Sequence, residues 1–252
     1  MIEDLQRRYS THGFVMLRGL FSADALDRFE SRFVELASGE SPPPEGMVIM
    51  QDVMVARGVV EPASRVHGVN KLLSFEHDPV LFDYALDVEL LAAVRALVGQ
   101  DVMTISTNVF NKPPGIDGRH PLHQDLRYFR LRPAESIVAA WTALSPCTRE
   151  NGCLSIVPGS HRGELMRHGD PDWEHVNHGF FAAEGVDREA RVHLEMEPGD
   201  TLLFHPLLLH GSGRNKSAGF RRAISTHFAS TACERPTGRS ARALVVRQIP
   251  SA

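Results

Sequence analysis

Cysteines and long apolar runs are scarce in this 252-residue sequence. The three cysteines, Cys147, Cys153 and Cys233, are odd in number and irregularly spaced, which argues against a disulfide framework and against a cysteine-rich zinc site. The first twenty residues lack a basic start followed by an apolar run, so we expect no export, and the longest apolar stretch, LLAAVRALV, is short and contains an arginine. We therefore expect a cytoplasmic protein without a membrane segment.

An excess of basic residues is also lacking. The net charge is -4, so the composition offers no positive surface for a nucleic-acid backbone, and a small molecule is the expected partner. The last three residues, Pro250-Ser251-Ala252, differ from the peroxisomal tripeptide, so we expect no peroxisomal address at this end.

The first hundred residues carry mainly helical patterns. Ser22 is a typical N-terminal cap and Gly39 a typical C-terminal stop of one helix. Asp78 followed by Pro79 is typical of the start of a helical pair that ends at Gly99. The segment GFVMLRGLF adds one early strand. This part of the chain is predicted to be a helical cover reaching to about residue 100.

Beyond residue 100 the pattern changes to short β-prone runs separated by turn residues. These runs cover 102–110, 136–144, 153–157, 191–197, 201–205 and 222–229. They predict an all-β core from about 101 to 248, built as a double-stranded β-helix of the cupin-like, jelly-roll type. The length of the chain favours one domain over 1–252.

A metal-binding pattern lies in the segment PLHQD. His123 and Asp125 are two residues apart, so in a strand both side chains point to one face and can reach one ion. The segment FHPLLLHGSG supplies His210 as a third ligand. Two histidines and one carboxylate leave three positions of an octahedron open, which suits non-haem Fe(II), although zinc accepts the same ligands. His205 is the competing third ligand, but it precedes Pro206.

An H-x-D pattern alone is weak evidence in a chain with 13 histidines, because hydrogen bonding accounts for most histidines in proteins. Arg221 strengthens the metal hypothesis. It begins a β-like run eleven residues after His210, where a guanidinium group can form a bidentate pair with the distal carboxylate of a cosubstrate.

These segments resemble the phytanoyl-CoA dioxygenase family. The resemblance is dense from Arg119 to Ser230, through HPLHQDLRYF, NGCLSIVPGSH, RVHLEMEPGD and FHPLLLHGSGRNKSAGFRRAIS, and is looser over GFVMLRGLF and VNKLLSFEHDP. It implies an Fe(II)- and 2-oxoglutarate-dependent dioxygenase that consumes O2, is supported by ascorbate, and hydroxylates an unactivated carbon while 2-oxoglutarate becomes succinate and CO2.

The resemblance also assigns roles to residues. His123, Asp125 and His210 would hold the iron, and Arg221 with Ser212 would bind the distal carboxylate of 2-oxoglutarate. Further positions of the cosubstrate pocket correspond to Lys71, to Trp141 and to Asn108, where the animal enzymes carry methionine. Judged from the residues alone, Trp141 also fits a buried core, Lys71 a solvated surface and Ser212 a turn between two glycines.

The substrate implied by the resemblance is a fatty acyl-CoA, such as a phytanoyl-CoA-like thioester, hydroxylated at its 2-position. Two alternatives stay open: a dioxygenase acting on an amino acid, natural product or other small metabolite, and a catalytically silent jelly-roll module. Loops at 42–66, 112–120 and 162–190 are expected to select the substrate. Their basic residues are either solvated or partners for CoA phosphates, and these are Arg57, Arg65, Lys112, Arg119, Arg162 and Arg167.

Overall fold

The computed structural model describes residues 2–173, 180–234 and 247–250. The helices are α1 (Ile2–His12), α2 (Ala23–Ser38), α3 (Val53–Ala56), α4 (Pro79–Leu86) and α5 (Val88–Val98). The strands of the first half are β1 (Phe14–Leu17), β2 (Val48–Gln51), β3 (Val69–Leu73), β4 (Val102–Lys112) and β5 (His120–His123). The later strands are β6 (Ile137–Ala143), β7 (Leu154–Ile156), β8 (His168–Gly169), β9 (Ala182–Ala183), β10 (Val192–Leu194), β11 (Thr201–Phe204), β12 (His210–Ser212), β13 (Arg221–Ser230) and β14 (Arg247–Gln248).

Two antiparallel sheets form the core. The large sheet has the order β1-β11-β6-β13-β4-β3-β2, with β14 also paired to β4, and the small sheet has the order β10-β7-β12-β5. Trp141 and Phe204 of the large sheet share a buried apolar cluster with Leu154 and Ile156 of the small one. The strands β8 and β9 form a separate ribbon. The sheets confirm the predicted jelly-roll core.

Helices cover the outer face of the large sheet. Apolar residues of α2, α4 and α5, among them Phe33, Leu81 and Leu90, share one buried cluster with Val109 of β4 and Ile224 of β13. The predicted ends of α2 and the predicted start of α4 are confirmed. The Ser22 hydroxyl accepts the amide of Ala25, and Gly39 adopts a left-handed conformation with φ of 85°. The carboxylate of Asp78 likewise accepts the amide of Leu81 at the start of α4.

The region before residue 100 contributes more strand than its sequence predicts. In addition to β1, it supplies β2 and β3, and β3 pairs with β4. The segments VIMQ and VNKLL are short and contain polar residues, so their strand structure depends on pairing with a distant partner and not on a local pattern. The region predicted as a helical cover therefore also adds the strands β2 and β3 to the large sheet.

One domain over 1–252 stays a prediction, and the predicted core includes residues 235–246, which lie outside the described ranges. Within those ranges, no helix combines the length and the apolar character that a membrane crossing needs.

Candidate metal centre and adjacent cavity

Strand pairing in the small sheet brings two distant histidines together. His210 of β12 stands opposite His123 of β5 in the antiparallel register. Gly211 allows this close approach, because a Cβ atom at that position would lie 2.7 Å from the carbonyl oxygen of His120. The sequence pattern predicts that Asp125 lies in the same strand as His123. In the structure Asp125 lies outside β5 and begins a 3-10 turn. Gln124 between them is extended, so His123 and Asp125 still point to the same side.

The three predicted metal ligands form one buried cluster. One ligand atom of each of His123, Asp125 and His210 lies within 4.8 Å of the other two. The Asp125 Oδ1 atom is 3.2 Å from Nε2 of His123 and 3.6 Å from Nε2 of His210. Three converging donors of this kind are a fitting site for a divalent metal ion. His205, the competing histidine, lies outside this cluster, and its Nδ1 atom accepts the amide of Leu207 at 3.1 Å.

The protonation states of the cluster suit metal binding. Burial lowers the pKa of His210 to about 4, so this imidazole is neutral near pH 7. Burial raises the pKa of Asp125, but the imidazoles of His210, His227 and His123 outweigh that effect and hold it well below its usual range. A neutral imidazole and an ionised carboxylate are the forms that bind metals.

The sequence reasoning does not single out a histidine that contacts this cluster. His227 of β13 is buried, and its Nε2 atom donates to the Oδ2 atom of Asp125 at 2.7 Å. This bond crosses from the large sheet to the candidate metal centre and fixes the orientation of the carboxylate. The only signal in the sequence is the alternation of β13, which places Arg221, Ser225 and His227 on one face.

A narrow cavity of about 30 Å³ contains three of the predicted cosubstrate residues. Lys71, Ser212 and Arg221 line it, together with Asn70, Phe110, Asn111, Lys112, Gly118, His120 and Phe180. Trp141 packs beside them, because the guanidinium carbon of Arg221 lies 5.5 Å from the centre of the Trp141 ring. Asn108 does not line the cavity. Its side-chain amide donates to the hydroxyl of Ser106 at 3.1 Å, and Ser106 lies two residues away on the same face of β4.

Two buried cations face this cavity side by side. Lys112 and Arg221 are direct partners in the register of β4 and β13, and they are 7% and 4% exposed. Within the part of the chain that the structure describes, neither forms an ion pair with a carboxylate, and the Nε atom of Arg221 has no hydrogen-bond partner. Burial, followed by the charge of Arg221, holds the pKa of Lys112 well below its usual range. Like charges opposite each other in a sheet are unfavourable, so the cavity suits an anion.

The position of Lys112 differs from the expected one. The sequence predicts a loop from residue 112 with a lysine that is either solvated or a partner for CoA phosphates, whereas Lys112 is the buried last residue of β4. Asn111 and Lys112 are weak strand formers, and their pairing with Arg222 and Arg221 extends the strand beyond its β-prone run.

Known proteins resemble this chain in sequence and in fold. The model of the family Phytanoyl-CoA dioxygenase (PhyH) matches residues 9–223. The mouse (Mus musculus) protein "Phytanoyl-CoA dioxygenase, peroxisomal" is 45% identical over 231 residues, which cover 90% of this chain and 68% of the mouse protein. The Caenorhabditis elegans "Probable phytanoyl-CoA dioxygenase" is 41% identical over 234 residues, covering 89% of this chain and 74% of that protein.

Among solved structures, the epimerase SnoN in complex with Fe3+, alpha ketoglutarate and nogalamycin RO superposes with a TM-score of 0.72. It covers 94% of this chain and 87% of its own, at 21% identity, so this likeness concerns the fold. The family match and the similarity to the mouse and nematode proteins go further, and they show that this chain belongs to the phytanoyl-CoA dioxygenase family.

Proposed function

We propose that this protein is an Fe(II)- and 2-oxoglutarate-dependent dioxygenase that hydroxylates a fatty acyl-CoA at the carbon next to the thioester carbonyl. The observation that carries this proposal is the pairing of two features. A buried cluster of two histidines and one carboxylate lies near a cavity walled by two buried cations without a carboxylate partner among the described residues. An enzyme that binds a metal ion together with an anionic cosubstrate needs ligands for the metal and positive charge for the cosubstrate, and these two features supply them.

The residues divide the work between metal and cosubstrate. His123, Asp125 and His210 would hold the iron through their converging ligand atoms. Arg221 would pair with the distal carboxylate of 2-oxoglutarate, and Ser212 would donate a hydrogen bond to it. When bound, iron with 2-oxoglutarate and O2 supplies the oxidising power to break an unactivated C–H bond, and the cosubstrate leaves as succinate and CO2.

Three further residues would complete the cosubstrate site. Trp141 would limit the cavity under the guanidinium group of Arg221, and Lys71 would contribute a positive charge from β3. Asn108 stands in register with Ser225, which is also the partner of Trp141, so it would act beside Trp141, four residues along β13 from Arg221. The chain's own contribution is therefore to orient the cosubstrate and to exclude water from it.

The acyl-CoA part of the proposal draws on the family and on charge near the cavity. The relatives that match most of this chain carry the name phytanoyl-CoA dioxygenase. Arg119 and Arg214 both pair with Asp117, at 2.7 and 2.8 Å, which leaves one net positive charge next to Gly118 on the cavity wall. We infer that these two arginines receive a phosphate of CoA. Arg162 is engaged elsewhere, since it donates to the Thr11 carbonyl at 2.7 Å.

A substrate panel tests the proposal. The enzyme with Fe(II), ascorbate and 2-oxoglutarate is incubated with straight and branched acyl-CoAs, with their free acids and with unrelated metabolites, and products are followed by mass. We expect hydroxylated product and an equal amount of succinate from acyl-CoAs alone. Coupled product from a non-thioester would favour the small-metabolite alternative, and the absence of succinate under all conditions would favour a silent module.

A further inference from the structure

The side chain of Lys112 makes contacts that a packing role does not explain. Its Nζ atom is 2.8 Å from the hydroxyl oxygen of Ser212 and 2.5 Å from the carbonyl oxygen of Gly213. The ammonium group is buried opposite Arg221 and faces the same cavity. A buried lysine beside a second cation costs stability, so its presence there calls for a compensating anion.

We propose that Lys112 is a positioning residue for 2-oxoglutarate, which fixes Ser212 as a hydrogen-bond donor to the distal carboxylate and adds a positive charge beside Arg221. This inference rests on the proposed use of 2-oxoglutarate. It adds to the predicted cosubstrate site a residue that the sequence pattern assigns to a loop.

The direction of the hydrogen bonds supports this role. An ammonium group has three N–H donors and no acceptor, so the hydroxyl oxygen of Ser212 must accept from Lys112. The hydroxyl hydrogen of Ser212 is thereby turned away from Lys112 and is available to an acceptor in the cavity. The Gly213 carbonyl takes a second N–H of the ammonium group, and the third N–H is available to the same acceptor.

The nearby carboxylate does not supply the compensating charge. Asp117 raises the pKa of Lys112, but burial and Arg221 outweigh it, and both oxygens of Asp117 are engaged by the guanidinium groups of Arg119 and Arg214. A carboxylate entering the cavity would therefore find two cations without a carboxylate of their own among the described residues, and a hydroxyl whose hydrogen Lys112 does not use.

Calorimetry on the Fe(II)-loaded protein without oxygen tests the inference with two ligands. 2-Oxoglutarate carries the distal carboxylate, whereas 2-oxobutyrate has the same keto acid end without it. For Lys112→Met we expect roughly 10- to 100-fold weaker binding of 2-oxoglutarate, because charge-assisted hydrogen bonds are lost, and little change for 2-oxobutyrate. Lys216→Met is the matched control, because Lys216 is exposed, and it should bind both ligands like the unmodified protein.

Two further measurements separate positioning from a structural role. The melting temperature of ligand-free Lys112→Met should equal or exceed that of the unmodified protein, because a buried charge is removed. In a Ser212→Ala background, Lys112→Met should weaken 2-oxoglutarate binding less than it does alone, since part of its effect passes through the hydroxyl.

The inference is overturned if Lys112→Met binds 2-oxoglutarate normally, if it weakens the binding of both ligands equally, or if it lowers the melting temperature by more than about 5 °C. Failure of the proposed function has a different signature. In that case the unmodified protein itself would bind 2-oxoglutarate no more tightly than 2-oxobutyrate.

Discussion

Both metal-facing histidines are oriented by the same local device. The Nδ1 atom of each ring hydrogen-bonds the carbonyl oxygen two residues earlier, at 2.9 Å from His123 to Pro121 and at 3.0 Å from His210 to Leu208. A carbonyl only accepts, so a proton sits on Nδ1 of each ring, and Nε2 is the atom left on the side of Asp125 to coordinate a metal. The two rings are therefore held with Nε2 directed to the candidate metal centre, which is the orientation that ligation needs.

The choice of His210 over His205 can be tested by metal binding. His210→Ala should abolish turnover and strongly weaken Fe(II) binding, because a two-ligand site loses its chelate geometry. His205→Asn is the control, since asparagine keeps an acceptor for the Leu207 amide, and it should bind Fe(II) normally. Fe(II) titration without oxygen measures both, and the reverse pattern would make His205 the ligand.

His227 should affect the metal centre without touching the metal. His227→Phe removes the hydrogen bond to Asp125, and we expect roughly 10- to 100-fold weaker Fe(II) affinity, as for other groups that orient metal ligands. His227→Gln, whose amide can donate from nearly the same place, should recover much of the affinity. Equal affinity in all three proteins would mean that Asp125 is oriented by other contacts.

At the scale of secondary-structure elements, strand β13 divides two roles between adjacent arginines. Arg221 points into the cavity, whereas Arg222 points to the helical side, where it pairs with Glu30 of α2, donates to Asn111 at 3.0 Å and lies 5.2 Å from the Phe33 ring centre. Successive side chains of a strand point to opposite faces, so one of these arginines faces the cavity and the next one packs against the helices.

Substitutions of these two arginines should therefore have different effects. Arg221→Ala should raise the KM for 2-oxoglutarate roughly 10- to 100-fold and leave unfolding by urea nearly unchanged. Arg222→Met should lower the free energy of unfolding by about 1–3 kcal/mol and leave that KM nearly unchanged, because it breaks a partly buried ion pair and a buried hydrogen bond. A change of KM in the Arg222 variant, with none in the Arg221 variant, would exchange their assignments.

The sequence predicts the elements whose signals are local. Helix α2 is an example, since both its cap and its terminal glycine are visible in the chain. The predicted ligands His123, Asp125 and His210 also come together, because extended Gln124 keeps the first two on one side and the pairing of β5 with β12 adds His210. His227 and Lys112 could not be predicted, because their roles depend on pairing across 102 and 100 residues, to Asp125 and to Ser212.

At the scale of the whole molecule, the two faces of the large sheet have different tasks. Its outer face packs against the helices through apolar side chains such as Val109 and Ile224, which supply stability. Its inner face carries Lys112, Arg221 and His227, whose buried polar groups are costly in the absence of ligands. Such a division favours a protein that is stabilised by its own cosubstrate and metal.

Buried histidines should make this fold sensitive to acid. Burial lowers the pKa of His205 from 6.5 to about 4, so the unfolded chain takes up a proton between these values while the folded protein does not. Stability should therefore fall as the pH drops from 6.5 to 4, by up to about 1.4 kcal/mol per pH unit for this group. Urea unfolding at pH 7 and pH 5 measures the loss. His205→Asn should show a smaller loss, and an identical loss would assign the acid sensitivity to other groups.

The central claim is that this chain couples the oxidation of 2-oxoglutarate to the hydroxylation of an acyl-CoA. Turnover under ¹⁸O₂ tests it most directly, with both products analysed by mass. We predict one labelled oxygen atom in succinate and one in the 2-hydroxyacyl-CoA, in equal amounts, and neither product from the Asp125→Ala variant. Succinate formed without labelled hydroxyacyl-CoA for every thioester tried, or unchanged turnover in the Asp125 variant, would contradict the account.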